Sequence, residues 1–416
     1  MISGMKIMIT SERTEKTMTY DFTTILDRRG QDAIAVDLPN EGKYGVKAKE
    51  GYDIIPMWVA DMNFPVYPGI QKAVIGRTEI PHFGYFEPRK EYFDAIINWQ
   101  KTRNGVEGLK AENIGYENGV LGGVISAVNV LASRGDNVLV HSPTYIGFTH
   151  SLEGNGYHII HSQLHKDENN VWQMDYEDME KKIVDNKIHV AIICNPHNPC
   201  GRVWTREELE KVMEIFEKHN VWIIADEIWS DIMLDGHKHL PVQSVNQYAH
   251  DHTAAFYAPS KTFNLAGLIG SYHIIYNPWL RERIEKESSL SHYNAMNVLS
   301  MYALIGAYEE GGMKWLDELR EVLSANAKYA CDFIENNFKG IKVSRPQGTY
   351  MLFLDCEDYC KANNLDMDAL LKKGWEVGVY WQDGRPFHGT YGIRLNLALP
   401  TSRVKEAFDR LQKALY

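Results

Sequence analysis

Cysteine is scarce in this chain of 416 residues: there are five, an odd number, scattered as Cys194, Cys200, Cys331, Cys356 and Cys360. Such usage excludes a disulfide framework and fits a reducing compartment. Cys356 and Cys360 lack a second pair at zinc spacing, and His141, His150, His161 and His165 do not form the His-Glu-x-x-His pattern of a helical metal site, so no metal is expected. No apolar run reaches the ~18 residues that a membrane-spanning helix requires. Positive charge is also in short supply: 44 basic against 55 acidic residues leave a formal charge of −11, which argues against a nucleic-acid surface and for work on small molecules. Internal repeats are missing. Met1 to Thr19 is polar, with neither an apolar core segment nor a small-residue cleavage pattern. Neither a secretory signal nor a membrane anchor is expected there; the stretch is expected to fray, and the cytoplasm is the default compartment.

What is present is a large apolar inventory, 44% of residues, enough for a sizeable core and two lobes. Short apolar runs at Val138–Val140, Tyr157–Ile160, Val190–Cys194, Trp222–Ala225, Ala254–Tyr257 and Tyr272–Ile275 read as strands. Between them, Arg206 to His219 has the helical spacing that turns Leu209, Val212, Met213 and Phe216 inward. Strands alternating with helices predict an α/β lobe with a mostly parallel sheet. After Ser291 helical patterning takes over, as in Trp315 to Asn336, followed by strands at Tyr350–Leu354 and around Arg394, which predicts a smaller α+β lobe.

Chemistry concentrates where three of these strands end. Lys261 lies in the apolar, glycine-punctuated turn Ala258-Pro-Ser-Lys-Thr-Phe-Asn-Leu-Ala-Gly267, after the strand ending at Tyr257. Alone, such a lysine is commonly a surface residue with a buried stem; if buried, its pKa falls and its amine attacks a carbonyl near neutral pH. Asn198, in Cys194-Asn-Pro-His-Asn-Pro-Cys-Gly201, and Asp226, closing Val221-Trp-Ile-Ile-Ala-Asp226, follow two further strands. In open α/β sheets, ligands sit at the carboxyl ends of the strands, so the three side chains are expected to converge. Lysine to hold an aldehyde, a carboxylate to keep a pyridine nitrogen protonated and an amide for a ring hydroxyl are the requirements of pyridoxal 5'-phosphate. Asn195 reads as a turn former before proline.

The chain also resembles fold-type I pyridoxal-phosphate enzymes, and within them the aminotransferase-like C–S lyases of the MalY/PatB (cystathionine β-lyase) group. The resemblance runs from about Tyr20 to the C-terminus and rests on Ile55-Pro-Met-Trp-Val-Ala-Asp-Met-Asn-Phe-Pro65, Phe83-Gly-Tyr85, Asn195 to Trp204, Ala225-Asp-Glu-Ile228, Ala258 to Leu268 and Arg394-Leu-Asn-Leu-Ala398. It implies an N-terminal extension over 1–19, a small lobe built from 20–60 and 296–416, and a large cofactor-binding lobe over 61–295. It implies that Gly119, Val120 and Leu121 open a helix whose N-terminus holds the phosphate, with Ser260 assisting. Tyr145 is implied to stack on the pyridine ring and to share the catalytic role with Lys261 and Asp226, while Tyr85 reaches the phosphate of a neighbouring subunit in a homodimer. Arg394 is implied to bind the substrate α-carboxylate through paired hydrogen bonds, Ala60 to offer backbone to the same group, and Trp58 to line the pocket.

Three departures stand out. Trp229 replaces the tyrosine or histidine found three residues after the family's aspartate, Ile269 replaces a phosphate-binding arginine, and Ala258 replaces a phosphate-binding serine. The resemblance implies α,β-elimination from a sulfur amino acid, with transamination as the alternative and a cofactor-binding sensor as a more remote one.

Overall fold

The computed structural model describes residues 18–290 and 294–416. The expected fraying of Met1 to Thr19 therefore falls almost wholly outside the described residues. At its end, the Thr19 backbone N–H donates to Glu318 Oε2 at 2.9 Å, so the chain is tied down from that point.

Among the described residues seven strands form the central sheet: β1 (Ile114–Glu117), β2 (Asn137–Ser142), β3 (His158–Gln163), β4 (Val190–Cys194), β5 (Trp222–Asp226), β6 (Thr253–Tyr257) and β7 (Ser271–Ile274), in the order β1-β7-β6-β5-β4-β2-β3. Strands β2 to β6 pair in parallel, and β7 alone runs against its neighbours β6 and β1. Every residue of β4 and β6 is buried, because helices cover both faces; this is why those strands read as unbroken apolar runs. The connecting helix α2 (Arg206–Lys218) starts where Thr205 and Glu208 satisfy each other's backbone N–H groups, and it buries Leu209, Val212, Met213 and Phe216. Each such side chain contributes about 1.5–3 kcal/mol by leaving water.

Strand order turns back between β4 and β2, and the parallel strands β2, β4, β5 and β6 all point their carboxyl ends at that edge. Helix α1 (Val120–Leu131) aims its N-terminus at the same place. It packs flat on the sheet because Gly123 has no side chain: a Cβ there would lie 2.4 Å from the Phe256 ring.

A second, antiparallel sheet contains β8 (Lys342–Val343), β9 (Met351–Asp355), β10 (Gln382–Asp383) and β11 (Gly392–Asn396) in the order β8-β9-β11-β10. Arg394 sits on β11, inside this sheet, opposite Phe353 on one side and Gln382 on the other. The long helix α3 (Glu310–Asn337), extending beyond the Trp315–Asn336 expected, packs on the C-terminal helix α4 (Thr401–Leu415). The N-terminal segment returns to this part of the chain, with Ile55–Pro56 running parallel to Val379–Tyr380. Among the described residues no helix is long and apolar enough to cross a membrane.

Candidate active site

A cavity of about 420 Å³ opens at the carboxyl edge of the central sheet, where the small sheet faces it. Its wall includes Ala60, Gly119, Val120, Leu121, Tyr145, Asn198, Asp226, Trp229, Ser260, Lys261 and Arg394, together with Val59, Ile146, Ile228, Ala258, Ile269, Ser271 and Gln382. The backbone at Gly119, φ +92°, lies where a side chain is disfavoured, and this bend presents the first turn of α1 to the cavity. The N–H groups of that turn have no carbonyl partner within the helix, and the helix dipole adds positive potential, so this end of the cavity suits a phosphate.

Asp226 ends β5 and is buried; its Oδ1 accepts the Ile228 N–H at 3.1 Å. Burial pushes its carboxyl up to about 7 against the opposing pull of that N–H. The adjacent Glu227 points the other way, accepting from the Tyr257 hydroxyl at 2.6 Å and the Val242 N–H at 2.7 Å, with His239 Nε2 2.7 Å away. Only the first of the two carboxylates therefore faces the cavity.

Lys261 stands in the short helix Pro259–Thr262 just after β6, and its Nζ donates to the Ala60 carbonyl at 3.1 Å. Burial, helped by the positive charge of Arg394, lowers the amine to about 8, while Asp61 and Asp226 act in the opposite direction. Trp229 borders it, with the ring centre 5.9 Å from Nζ and the indole set edge-on against Tyr350 at 4.6 Å. Tyr145 precedes the helix Ile146–Gly154 and is held edge-on by Phe148 at 5.4 Å.

Arg394 is 4% exposed. Its Nη1 donates to Asn198 Oδ1 at 3.0 Å, and its Nη2 donates to Gln382 Oε1 at 2.5 Å and to the Trp58 carbonyl at 3.3 Å. The guanidinium lies over the Phe387 ring, 4.5 Å from its centre. Among the described residues its Nε has no hydrogen-bond partner, and no carboxylate forms an ion pair with it. A buried cation held only by neutral acceptors is costly, and burial lowers it to about 10. Such a group is built to receive an anion.

One expected position differs. Trp58 does not line the cavity: its indole N–H donates to the Ala35 carbonyl at 3.0 Å and its ring stacks on Tyr44 at 4.0 Å, so only its backbone oxygen serves Arg394. That stacking partner lies in an irregular segment whose course the sequence pattern does not show. Ala60 lines the cavity as expected; its carbonyl accepts from Lys261, and the N–H is the backbone group that a carboxylate would use. Tyr85 is fully exposed on a loop beside Phe83 and Phe86, away from its own chain's cavity. Asn195 is spent on the loop itself, bonding the Leu240 carbonyl and the Trp204 N–H. Gln382 was not anticipated, because a strand of only two residues carries no period to detect it.

The raised carboxyl and the lowered amine have opposite consequences for the cofactor-free protein. Asp226, raised to about 7, favours folding while protonated, so its contribution is complete below the ordinary carboxylate pKa and is lost as pH rises towards 7. Lys261, lowered to about 8, costs stability below that pH, and the cost is relieved as pH rises towards the ordinary lysine value. Asp226→Asn is therefore expected to remove a few kcal/mol of pH dependence between about pH 4 and 7. Melting curves of the two proteins without cofactor check this, the variant gaining on the wild type as pH rises through that window.

Residues 77–411 match the family described as "Aminotransferase class I and II", and the chain belongs to it. Among curated relatives, "Cystathionine beta-lyase PatB" of Bacillus subtilis (strain 168) is 35% identical over 366 residues, covering 87% of this chain and 93% of that protein. "Protein MalY" of Escherichia coli (strain K12) is 28% identical over 403 residues, covering 95% and 99%. Among solved structures, the PLP-bound C–S lyase from Staphylococcus hominis superposes with a TM-score of 0.86 at 30% identity, covering 96% of this chain and 98% of that one.

Proposed function

We propose that this protein is a pyridoxal-phosphate-dependent carbon–sulfur β-lyase that converts cystathionine or related cysteine S-conjugates, with water, to a thiol, pyruvate and ammonia. The observation that carries the reading is the convergence, in one cavity, of a buried amine, a buried carboxylate, a helix N-terminus and a buried arginine that has no anionic partner among the described residues. The donor set fits the cofactor. Gly119, Val120, Leu121 and Ser260 stand where they can hold its phosphate, Asp226 its ring nitrogen, Asn198 its ring hydroxyl, Tyr145 its face and Lys261 its aldehyde. Ile269, at the position where the aminotransferase pattern has arginine, leaves the phosphate to the helix terminus and to Tyr85 of a second copy, so the working form is proposed to be a homodimer.

Bound there, pyridoxal phosphate supplies a protonated aromatic ring over which negative charge from the substrate Cα spreads. Asp226 keeps that ring nitrogen protonated. Arg394 fixes the α-carboxylate and so decides which Cα bond stands ready to break. Lys261 would hold the cofactor's aldehyde and, as a free amine, would accept the Cα proton and pass a proton to the departing sulfur. Trp229, Ile228 and Val59 add apolar wall to the same cavity.

The test is incubation of the purified protein with L-cystathionine, following pyruvate and free thiol with and without a keto acid. Pyruvate and thiol without the keto acid are expected; turnover that needs the keto acid and yields no pyruvate rejects the lyase reading. Arg394→Lys is expected to raise KM for L-cystathionine about 10–100-fold, because lysine cannot replace the paired charge-assisted bonds, and to lower kcat as well, because the Cα bond is no longer held in line. Steady-state kinetics on the two proteins measure both effects.

A further inference from the structure

The Ala60 carbonyl that accepts the Lys261 amine lies in a segment held by three separate parts of the chain. From the small sheet, Asn396, two residues beyond Arg394 on the same strand, donates through Nδ2 to the carbonyls of Val59 at 2.9 Å and Asp61 at 2.8 Å. From the lysine's own turn, Asn264 donates to Asp61 Oδ1 at 2.9 Å and accepts the Met62 N–H at 3.0 Å. Its backbone, φ +58°, is in the left-handed region that asparagine tolerates, so the side chain is set by the turn that sets Lys261. From the N-terminal segment, Arg28 donates through Nη2 to Asp61 Oδ2 at 2.6 Å and through Nη1 to the Met62 carbonyl at 3.2 Å. The Asp61 carboxylate is the acceptor that the last two contacts share.

We infer that Asp61 is a positioning residue for Lys261: with Arg28 and Asn264 it fixes the carbonyl on which the free amine rests, and it sets the charge that the amine meets. This rests on the reading of Lys261 as the cofactor-holding lysine. The N-terminal segment then governs the pH at which Lys261 becomes a nucleophile. Three charged groups act on the amine, Asp61 and Asp226 favouring the ammonium form and Arg394 opposing it. Arg28 offsets part of the Asp61 charge from the far side. Removing the carboxylate takes away one of the two negative groups that favour the ammonium form and eases loss of its proton; removing Arg28 exposes the carboxylate and does the reverse. A contact that only supported the fold would move neither.

Capture of the cofactor reads the amine directly, since only the neutral nitrogen attacks the aldehyde carbon, with loss of water. Cofactor-free wild type, Asp61→Asn and Arg28→Met are mixed with pyridoxal phosphate between about pH 6 and 10, quenched with borohydride, and the adduct at Lys261 is counted by mass spectrometry. The rate midpoint is expected to fall by about one pH unit in Asp61→Asn and to rise in Arg28→Met. Midpoints equal to wild type in both, or displaced in the same direction, overturn the inference. Wild type that forms no adduct at Lys261 at any pH overturns the reading of the site, and the inference with it. Should Asp61→Asn not fold, the half-buried Arg28→Met decides by the direction of its displacement.

Discussion

Lys261→Ala is expected to lower turnover of L-cystathionine by about 10⁴-fold or more, because one amine performs two tasks. It supplies the nucleophile that holds the cofactor and, once released, the base that takes the Cα proton. Among the described residues that line the cavity, the other cationic group is Arg394, which stays protonated and is engaged with Asn198 and Gln382. The variant is expected to fold, since alanine leaves the flanking Thr262 bond to Asp231 and the Asn264 contacts untouched. Kinetics together with a melting curve check both halves. Elimination at near wild-type rate removes the lysine from the mechanism.

The second large effect is expected at Asp226. Asp226→Asn keeps the shape and the bond from the Ile228 N–H but removes the charge that retains a proton on the ring nitrogen. A buried carboxylate opposite a cationic ring is worth far more than the same pair in water. In the free protein burial leaves it only partly ionised near pH 7, so the cofactor completes an arrangement that the fold holds ready. A loss of about 10²–10³-fold in kcat is expected, with little change in KM. A kcat within about threefold of wild type contradicts the assignment.

The parts of the site that the sequence reveals are those that follow fully buried strands. Val190–Cys194 and Thr253–Tyr257 are buried on both faces, so their apolar runs are continuous and the polar residues that end them stand out. Asn198 and Lys261 follow those two strands and Asp226 ends the strand between them, Trp222–Asp226, and parallel pairing puts all three at one edge. By contrast, β1 is short and contains Gly115 and Glu117, which erase its period, and its place beside the antiparallel β7 comes from pairing distant in sequence. Gln382 and Asp61 escape for a similar reason. Their partners Arg394, Arg28 and Asn264 are brought to them by tertiary packing, which no local spacing encodes. Trp58 illustrates the limit of a motif, since its neighbour in space, Tyr44, turns the indole out of the cavity that the surrounding residues line.

The central claim is that Lys261 holds pyridoxal phosphate covalently in this cavity. Digestion of the borohydride-reduced, cofactor-loaded protein and mass measurement of its peptides tests it most directly. The account predicts the reduced cofactor on the peptide containing Lys261 and on no other. An unmodified Lys261 peptide, or the cofactor's mass on a different lysine, contradicts it.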